Sequence, residues 1–278
     1  MEKTFILYHG SCPDGFGGAY SAWKKFGDSA TYVPLKHNVP PPVLPLEGAT
    51  VYFIDFCYTK DVMDSFVERA RTVVVLDHHA GVKDVVDTMP EHVFDNDRSG
   101  ATIAWSYFHP DTPVPTFLTY VQEGDLFKFD LPDTRPILTY AYSKPFEFSI
   151  WDSLIEEIES PEGRARVIEN GKIYSEYFLS IADNLIKEAV LVEFEGYTCY
   201  FVSATSQFGS EVGNRLAKMH PPLALVASVR DDSIRISLRS DGTVDVAEIA
   251  RKYGGNGHKA ASGFSIPFGA PIPWKKLS

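Results

Sequence analysis

Cysteine is scarce in this chain. Its 278 residues include three cysteines, Cys12, Cys57 and Cys199, and no two of them form a Cys-x-x-Cys pair. An odd and widely spaced set does not build the disulfide framework of a small secreted protein. The sequence therefore predicts a protein of the reducing cytoplasm whose stability comes from a hydrophobic core.

Basic residues and long hydrophobic runs are also few. Lys and Arg total 26 against 37 Asp and Glu, which gives a net charge of −11. This charge argues against a basic track for long nucleic acid, but it leaves room for a local basic pocket that binds a short one. No stretch approaches the ~20 apolar residues of a transmembrane helix, and the first apolar run is too short for a signal peptide. We therefore expect no membrane partner, and a homodimer is compatible with the composition.

The first two thirds of the chain alternate short apolar runs with helical patterns. The runs at 51–54 and 73–76 are β-branched and almost wholly apolar, as in strands that are buried on both faces of a parallel sheet. A helical pattern at 61–70 connects them, and further strands are predicted at 4–9 and 31–35. This alternation predicts an α/β fold with a parallel, doubly wound sheet.

A long helix is predicted to join this part to a smaller α/β domain. Apolar residues recur at helical spacing over 164–189, and two hairpin patterns follow, turning at Gly196 and at Asp231-Asp232. We therefore expect an N-terminal domain over 1–163, a linker helix over 164–189 and a C-terminal domain over 190–278.

Reactive side chains stand where the predicted strands end. Because the carboxyl ends of parallel strands open into one crevice, these side chains should lie close together. Crowded carboxylates repel each other unless a cation lies among them. Mixed imidazole and carboxylate ligands suit Mn²⁺, Zn²⁺ or Fe²⁺, and several carboxylates favour two ions about 3.5–4 Å apart. The residues expected in this crevice are His9, Asp14, Asp55, Asp77, His78, His79 and Asp125.

Two motifs carry a resemblance to a known family. Asp77-His78-His79 after an apolar strand resembles the signature of the DHH phosphoesterase superfamily. The segment GGNGHKAASGF at 254–264 is similar to the GGGH segment of the C-terminal domain associated with that signature. The resemblance spans nearly the whole chain, with the motifs in the family's order. Members include RecJ-type exonucleases, nanoRNases, cyclic-dinucleotide phosphodiesterases and family II pyrophosphatases.

The resemblance implies a two-metal centre. It implies two Mn²⁺ ions per chain, and Zn²⁺, Fe²⁺ or Mg²⁺ are the alternatives. Asp55 would bridge the two ions. Asp14, His78 and Asp125 would complete the ligands of one metal, and His9 would bind the other.

The first motif departs from the family pattern at Cys12. The family has a histidine and two aspartates there, and each of them is a ligand. In one alignment Asp14 matches the second aspartate, Cys12 stands in place of the first, and His9 lies one residue farther back. In the other alignment Asp14 is the first aspartate and Phe16 replaces the second. Cys12 is either a thiolate ligand, which would favour a softer metal such as Zn²⁺ or Fe²⁺, or a small buried residue.

The C-terminal domain is expected to bind phosphate. The glycines of the GGNGH motif permit positive φ and close backbone approach, so their N–H groups would form an anion nest with help from a helix N-terminus. Two arginines four residues apart on a predicted strand point to one face, and guanidinium matches phosphate bidentately. The second of them, Arg239, matches the phosphate-binding arginine of the family. The expected substrate-binding residues are Arg239, Arg235, Gly255, Gly257 and His258.

These expectations describe a metal-dependent phosphodiesterase that hydrolyses short oligonucleotides or linear dinucleotides to mononucleotides by a metal-activated water. The resemblance implies that Asp77 orients a histidine and that His79 faces the phosphate or the leaving group. Phe127 and Phe129 are open to two interpretations, stacking on a base or packing in the core. The alternative functions are a phosphomonoesterase that acts on a bisphosphorylated nucleoside and a nucleotide-binding module with a weakened metal site.

Overall fold

The chain folds into two compact units. The computed structural model describes residues 3–37 and 39–277. The first unit ends at Ser175 and the second begins at Glu176. Each unit has its own sheet and helices, so the fold is the two-domain α/β architecture that the sequence predicts. None of the helices in the described ranges combines the length and apolar composition that crossing a bilayer requires.

The first unit is built on a parallel sheet. Its strands are β1 (Thr4–His9), β2 (Ala30–Leu35), β3 (Thr50–Ile54), β4 (Thr72–Asp77) and β5 (Glu91–Phe94). They lie in the order β2-β1-β3-β4-β5, and each neighbouring pair is parallel. Successive side chains point to opposite faces, so Phe53 enters one hydrophobic cluster and Ile54 enters another. Both faces are therefore apolar, which explains why the strand sequences contain so few polar residues.

Helices cover both faces of this sheet. They are α1 (Pro13–Phe26), α2 (Lys60–Arg69), α3 (Lys83–Val86), α4 (Gly100–Phe108), α5 (Thr116–Asp125), α6 (Thr134–Tyr142) and α7 (Phe148–Glu159). One face packs against α2 through Met63 and Phe66. The opposite face packs against α1 and α4 through Ala22 and Ala104. This is the doubly wound arrangement that the alternation of strands and helices predicts.

The sequence patterns do not predict β5, α6 or α7. β5 is an edge strand with two exposed residues, so it lacks the apolar run that marks the central strands. α7 begins at Phe148, whose ring stacks on Phe16 with the centroids 5.0 Å apart. The ring of Phe146 also stacks on Phe16, at 5.3 Å. These aromatic contacts join distant parts of the chain, which local periodicity cannot reveal.

A single long helix, α8 (Pro161–Lys187), runs from the first unit into the second. Within the first unit it lies close to α6 at Gly171. A Cβ at Gly171 would lie 2.0 Å from the carbonyl oxygen of Pro136, so only glycine allows the two backbones to approach so closely.

The second unit contains a mixed sheet. Its strands are β6 (Val190–Phe194), β7 (Tyr197–Ser203), β8 (Leu223–Val229), β9 (Ser233–Ser240), β10 (Asn256–His258), β11 (Ala261–Pro267) and β12 (Trp274–Lys276). They lie in the order β10-β11-β9-β8-β7-β6-β12, where β7 and β8 pair in parallel and the other neighbours pair antiparallel. Two helices accompany the sheet, α9 (Gly209–Met219) and α10 (Val246–Lys252).

Both predicted hairpins are present in this unit. β6 and β7 are joined through Gly196, whose φ of +82° lies in the region that favours glycine. β8 and β9 pair antiparallel on either side of Asp231-Asp232. The strands β10, β11 and β12 are not predicted from the sequence. β12 in the tail pairs with β6, and β10 carries the end of the GGNGH motif.

Candidate metal centre and arginine strand

The candidate metal centre lies at the carboxyl ends of three neighbouring strands. His9 ends β1, Asp55 follows β3, and His78 and His79 follow β4. Since β1, β3 and β4 are adjacent and in parallel register, these side chains converge, as the strand-end argument predicts. Asp55 has a φ of +57°, an uncommon conformation for a non-glycine residue and one that concentrates at functional sites.

Asp55 lies between two histidines. Its Oδ2 is 3.3 Å from Nδ1 of His9, and its Oδ1 is 3.2 Å from Nε2 of His78. The side chain is only 1% exposed, and among the described residues no donor forms a well-aligned hydrogen bond to Oδ1. Burial alone would raise the pKa of Asp55, but the contacts with His78 and His9 lower it well below its ordinary value. Asp55 is therefore a buried carboxylate with one oxygen directed to each histidine.

Asp14 caps the N-terminus of α4. Its Oδ2 accepts a hydrogen bond from the backbone N–H of Gly100 at 2.6 Å, and its Oδ1 accepts one from Ala101 at 3.0 Å. Ser99 occupies the N-cap position of this helix, but its hydroxyl makes no capping bond. The side chain of Asp14 from α1 caps the helix instead, because both of its oxygens accept hydrogen bonds from the first N–H groups of α4.

Two further carboxylates crowd around His78. Its Nε2 is 3.7 Å from Oδ2 of Asp14 and 3.5 Å from Oδ2 of Asp125, the last residue of α5. Burial, followed by the negative charges of Asp125 and Asp55, raises the pKa of Asp14 well above its ordinary value. Burial and the charge of Asp55 likewise raise the pKa of Asp125, against the opposing effect of His78. A cation among these groups would relieve this repulsion.

The donor atoms form three overlapping groups, each compact enough for a metal ion. Within each group the nitrogen, oxygen or sulfur atoms lie within 4.8 Å of one another. Asp55 and His78 each belong to two of the groups. The groups are His9 with Cys12 and Asp55, Asp55 with His78 and His79, and Asp14 with His78 and Asp125.

Asp77 holds the turn that carries both histidines. Its Oδ1 accepts hydrogen bonds from the backbone N–H groups of His78 at 2.7 Å and His79 at 2.8 Å. The same oxygen lies 2.8 Å from Nδ1 of His79. Burial disfavours the charged imidazole of His79, but the hydrogen bond to Asp77 and the charge of Asp77 raise its pKa to about 10. Asp77 therefore fixes the orientation of the His79 ring.

Phe16 distinguishes the two alignments of the first motif. It is 3% exposed and lies in a hydrophobic cluster with Trp151, away from the carboxylates. The residue that reaches the centre is Asp14, and Cys12 lies with His9 and Asp55. The geometry therefore favours the alignment in which Asp14 matches the second aspartate and Cys12 replaces the first.

Two aromatic residues near the centre are not among the predicted ones. The ring of His37 lies 5.1 Å from that of His9 and stacks on Phe56 at 4.8 Å, measured between centroids. His37 follows the end of β2, so the strand-end rule could have found it. Burial, followed by the charges of Cys12, Asp125 and Asp14, raises the pKa of the Tyr142 hydroxyl well above its ordinary value. Tyr142 ends α6, and no sequence pattern indicated that helix.

Phe127 and Phe129 follow Asp125 in a loop of unusual conformation. Both have positive φ, +53° and +54°, and their rings meet edge to face at 5.0 Å. The buried carboxylate of Glu123 holds this loop, because it accepts hydrogen bonds from the N–H groups of Asp130 at 2.6 Å and Leu131 at 3.2 Å. Phe129 packs at the edge of a hydrophobic cluster, whereas Phe127 is 37% exposed.

Two arginines share one face of β9 in the second unit. Burial alternates along the strand, with Ile236 and Leu238 in the core and Arg235 and Arg239 on the opposite face, as predicted. Nη2 of Arg239 donates to Oγ of Ser210 at 2.8 Å. Burial, followed by the charge of Arg235, lowers the pKa of Arg239 to about 10. No carboxylate in residues 3–37 and 39–277 forms a salt bridge with either guanidinium, so the pair is suited to bind an anion.

The N–H groups of the three motif glycines have partners within the chain, and the anion nest at this motif stays a prediction. The N–H groups of Gly254 and Gly255 donate to carbonyl oxygens of α10 at 3.0 and 2.9 Å, and that of Gly257 donates to Oδ1 of Asn256 at 2.8 Å. The adjacent end of α10 is also its C-terminus, not the helix N-terminus that the prediction invoked. A Cβ at Gly255 would lie 2.2 Å from the carbonyl oxygen of Gly263, and one at Gly257 would be similarly crowded by Ser262. The glycines thus allow the motif to pack against β11.

His258 enters the same sheet as the two arginines. It pairs with Ala261 of β11, and Ala261 pairs with Arg239 of β9. Residues in one row of neighbouring strands point to the same face, so His258 lies two strands away from Arg239 on the arginine face.

These features define a class of protein: a two-domain α/β protein with an acidic, histidine-rich candidate metal centre in one unit and an arginine-bearing strand in the other. Residues 200–270 match the DHHA1 domain family. The chain is 31% identical over 290 residues to the uncharacterized protein R106 of Acanthamoeba polyphaga mimivirus, covering 95% of this chain and 68% of that protein. The chain belongs to the DHH superfamily of phosphoesterases.

Two relatives have named activities. Oligoribonuclease NrnB of Bacillus subtilis is 34% identical over 183 residues, covering 60% of this chain and 43% of NrnB. The bifunctional oligoribonuclease and PAP phosphatase NrnA of the same organism is 28% identical over 238 residues, covering 79% of this chain and 71% of NrnA.

Solved structures share the fold at low sequence identity. The DHH domain of a member of a ribosomal protein family superposes with a TM-score of 0.61 at 13% identity, covering 95% of this chain and 83% of that one. RecJ of Thermus thermophilus, solved with Mn²⁺, superposes with a TM-score of 0.52 at 12% identity, covering 95% of this chain and 49% of RecJ. At these identities the likeness concerns the fold alone.

Proposed function

We propose that the chain is a metal-dependent phosphodiesterase that hydrolyses short oligonucleotides or linear dinucleotides to mononucleotides. The observation that carries this proposal is the set of three overlapping ligand groups around the buried Asp55. The names of NrnB and NrnA, both oligoribonucleases, support the substrate class. The net charge of −11 also favours a short substrate, because a long strand needs a basic track.

The residues of the centre fit a pair of divalent cations. His9, Asp14, Asp55, His78 and Asp125 supply imidazole and carboxylate groups, which suit Mn²⁺, and Mn²⁺ is the ion named for RecJ. Asp55 would serve both ions, since its two oxygens are directed to different histidines. Bound divalent cations supply Lewis-acid stabilisation of a phosphate and lower the pKa of a water molecule.

His79 would act on the phosphodiester itself, and Asp77 would position it. Asp77 holds Nδ1 of His79, so Nε2 would be the nitrogen that contacts the substrate. Against the opposing effect of burial, the hydrogen bond to Asp77 and the charge of Asp77 raise the pKa of His79, so they favour the protonated imidazole. The proton on Nε2 can then be donated to a phosphate oxygen or to the departing ribose oxygen, which would otherwise leave as an alkoxide.

Arg235 and Arg239 would bind a phosphate of the substrate in the second unit. Their guanidinium groups share a face of β9 with no carboxylate paired to them in the described part of the chain. Two adjacent guanidiniums match the charge and geometry of a terminal phosphate. The same pair favours a second candidate activity, a phosphomonoesterase acting on a bisphosphorylated nucleoside, and the name of NrnA includes such a substrate.

Replacement of Asp55 by asparagine tests the proposal. Asn tolerates the positive φ of this position, so Asp55→Asn removes the charge and preserves the backbone. With Mn²⁺ present, we expect the wild-type protein to cleave a 5′-phosphorylated dinucleotide faster than a longer RNA or 3′-phosphoadenosine 5′-phosphate. Turnover by Asp55→Asn should fall to background.

Asp64→Asn is the matched control. Asp64 lies on the surface of α2, paired with Lys60 at 2.7 Å, and its replacement should leave turnover unchanged. A preference for 3′-phosphoadenosine 5′-phosphate would establish the phosphomonoesterase instead. Full turnover by Asp55→Asn would refute the role of the candidate metal centre in hydrolysis. A wild-type protein that binds nucleotide, binds no metal and shows no turnover would instead be a nucleotide-binding module.

A further inference from the structure

Cys12 differs from the other cysteines in its surroundings. Cys57 and Cys199 lie inside hydrophobic clusters. Within the described residues Cys12 belongs to none of these clusters, and its sulfur lies with the imidazole of His9 and the carboxylate of Asp55. A small buried residue would pack against apolar side chains, whereas a ligand lies among other ligands. The position of Cys12 is that of a ligand.

The two ends of the centre differ in the hardness of their donor atoms. We call His9, Cys12 and Asp55 the sulfur group, and Asp14, His78 and Asp125 the oxygen group. The sulfur group offers one nitrogen, one sulfur and one oxygen. The oxygen group offers one nitrogen and two carboxylates. Thiolate selects thiophilic metals such as Zn²⁺, while carboxylates suit Mn²⁺ and Mg²⁺.

The spacing of the sulfur group fits a small tetrahedral ion. Ligands that bind Zn²⁺ at its usual bond lengths are separated by about 3.3–3.8 Å. Nδ1 of His9 and Oδ2 of Asp55 are 3.3 Å apart, and Sγ of Cys12 lies within 4.8 Å of a ring nitrogen of His9 and of a carboxylate oxygen of Asp55. Small side-chain adjustments would bring the sulfur to bonding distance. The sulfur group and the oxygen group have no residue in common. The other oxygen of Asp55 lies 3.2 Å from Nε2 of His78, so this carboxylate of the sulfur group also contacts a member of the oxygen group.

We infer that the centre is heterobimetallic, with a thiophilic divalent cation such as Zn²⁺ or Fe²⁺ bound by the sulfur group through the Cys12 thiolate, and Mn²⁺ or Mg²⁺ bound by the oxygen group. This inference rests on the metal centre of the proposed function. Binding of the thiophilic ion requires the Cys12 sulfhydryl to release its proton to solvent, so one proton leaves for each ion bound there.

Cobalt titration tests the inference directly. Co²⁺ bound to a thiolate has a sulfur-to-metal charge-transfer absorption in the near ultraviolet, which Co²⁺ bound only to oxygen and nitrogen lacks. We expect the metal-stripped wild-type protein to develop this absorption with one equivalent of Co²⁺ and to show no further increase with the second. Cys12→Ser should lack it. Cys199→Ala, which removes a thiol from the core of the second unit, should retain it in full.

Competition between Zn²⁺ and Mn²⁺ measures the metal selectivity of the two ligand groups. With Zn²⁺ and Mn²⁺ both supplied, the wild-type protein should retain one equivalent of each. Cys12→Ser should bind Zn²⁺ at least about tenfold more weakly, and Cys12→Asp should shift the centre towards two equivalents of Mn²⁺. Circular dichroism and retained Mn²⁺ binding show that each variant is folded.

Alkylation of the wild-type protein gives a test without any substitution. One equivalent of Zn²⁺ should slow the reaction of Cys12 with iodoacetamide, located by mass spectrometry, at least about tenfold more than one equivalent of Mn²⁺ does. Equal protection by both ions, or a wild-type protein that binds two Co²⁺ ions without charge-transfer absorption, would overturn the inference. These readouts do not depend on turnover, so a dinucleotide assay on the same preparation shows separately whether the proposed function fails.

Discussion

Gly100 provides the most direct test of how the centre is packed. It is the first residue of α4 and lies against both buried aspartates. A Cβ at this position would be 2.6 Å from Cβ of Asp55 and 2.9 Å from Oδ2 of Asp14. Carbon atoms in contact prefer separations of about 3.5–4.0 Å, so Gly100→Ala requires Asp55 to move by about 1 Å.

The expected loss of activity follows from comparing what that movement costs in stability with what it costs in reaction rate. Overpacking costs about 1–3 kcal/mol of unfolding free energy, and the higher helix propensity of alanine offsets up to about 1 kcal/mol of it. A domain with the usual stability of about 5–15 kcal/mol stays folded after such a loss. A misplacement of about 1 Å at a reacting centre, however, costs about 10²-fold in rate. We therefore expect a folded protein with about 10²-fold lower turnover and weaker Mn²⁺ binding.

Gly209→Ala is the matched control, because Gly209 is the first residue of α9 and has no positive φ. A Cβ there would meet Oγ of Ser237 at 3.5 Å, an ordinary contact. Calorimetric titration with Mn²⁺ should give an unchanged dissociation constant for Gly209→Ala and a raised one for Gly100→Ala. Guanidinium unfolding measures the stability of both variants. Wild-type Mn²⁺ affinity and wild-type turnover in Gly100→Ala would refute the argument that the close approach of α4 positions Asp14 and Asp55.

Two further predictions concern residues outside the metal centre. Arg239→Ala should raise KM for a 5′-phosphorylated dinucleotide about 10- to 100-fold with a smaller change in kcat, because a charged hydrogen bond contributes about 1.5–3 kcal/mol to binding. Arg166→Ala, which removes an exposed guanidinium from α8, is the control. An unchanged KM in Arg239→Ala would contradict the role of Arg239. Asp152→Asn should destabilise the protein by about 1 kcal/mol at pH 7 in urea unfolding, because Asp152 accepts hydrogen bonds from Tyr20 at 2.6 Å and Lys24 at 2.7 Å. Burial opposes the charge of Asp152, but the hydrogen bonds from Lys24 and Tyr20 lower its pKa in the folded state. This stabilisation is therefore present above the ordinary pKa of the carboxyl and is lost as the pH falls through the pKa of the folded state. A difference in unfolding free energy between wild type and variant that does not change with pH would contradict the prediction.

The predictions from sequence succeed where a local pattern has a local cause. The strand at 73–76 is predicted correctly because buried parallel strands need apolar residues on both faces, and it is observed as β4 (Thr72–Asp77). The strand-end rule then brings His9, Asp55 and His78 together without any knowledge of their distances. β5 is missed because its edge position relaxes the demand for apolar residues. α7 is missed because its first residues pack through Phe148 on Phe16, more than a hundred residues away.

The site shows the same division between local and long-range causes. Ser99 is a residue type that favours the N-cap position, and it does precede α4, but the sequence cannot reveal that Asp14 provides the capping bonds. The glycines of the GGNGH motif are correctly expected to permit close approach, but the sequence cannot reveal that the neighbouring strand β11 is what approaches them. In both cases the residue type follows from the local backbone, while the interaction depends on a segment that is distant in sequence.

The capping of α4 by Asp14 has a consequence for how the centre binds its ions. Both oxygens of Asp14 are fixed by backbone N–H groups, so the side chain loses its rotational freedom when the protein folds. Each oxygen still has a second lone pair for a cation. The entropic cost of ordering this ligand is therefore met during folding, and it does not weaken the binding of the ion. The Asp14 carboxylate both caps α4 and belongs to the candidate metal centre, so folding fixes the orientation of this ligand before an ion binds.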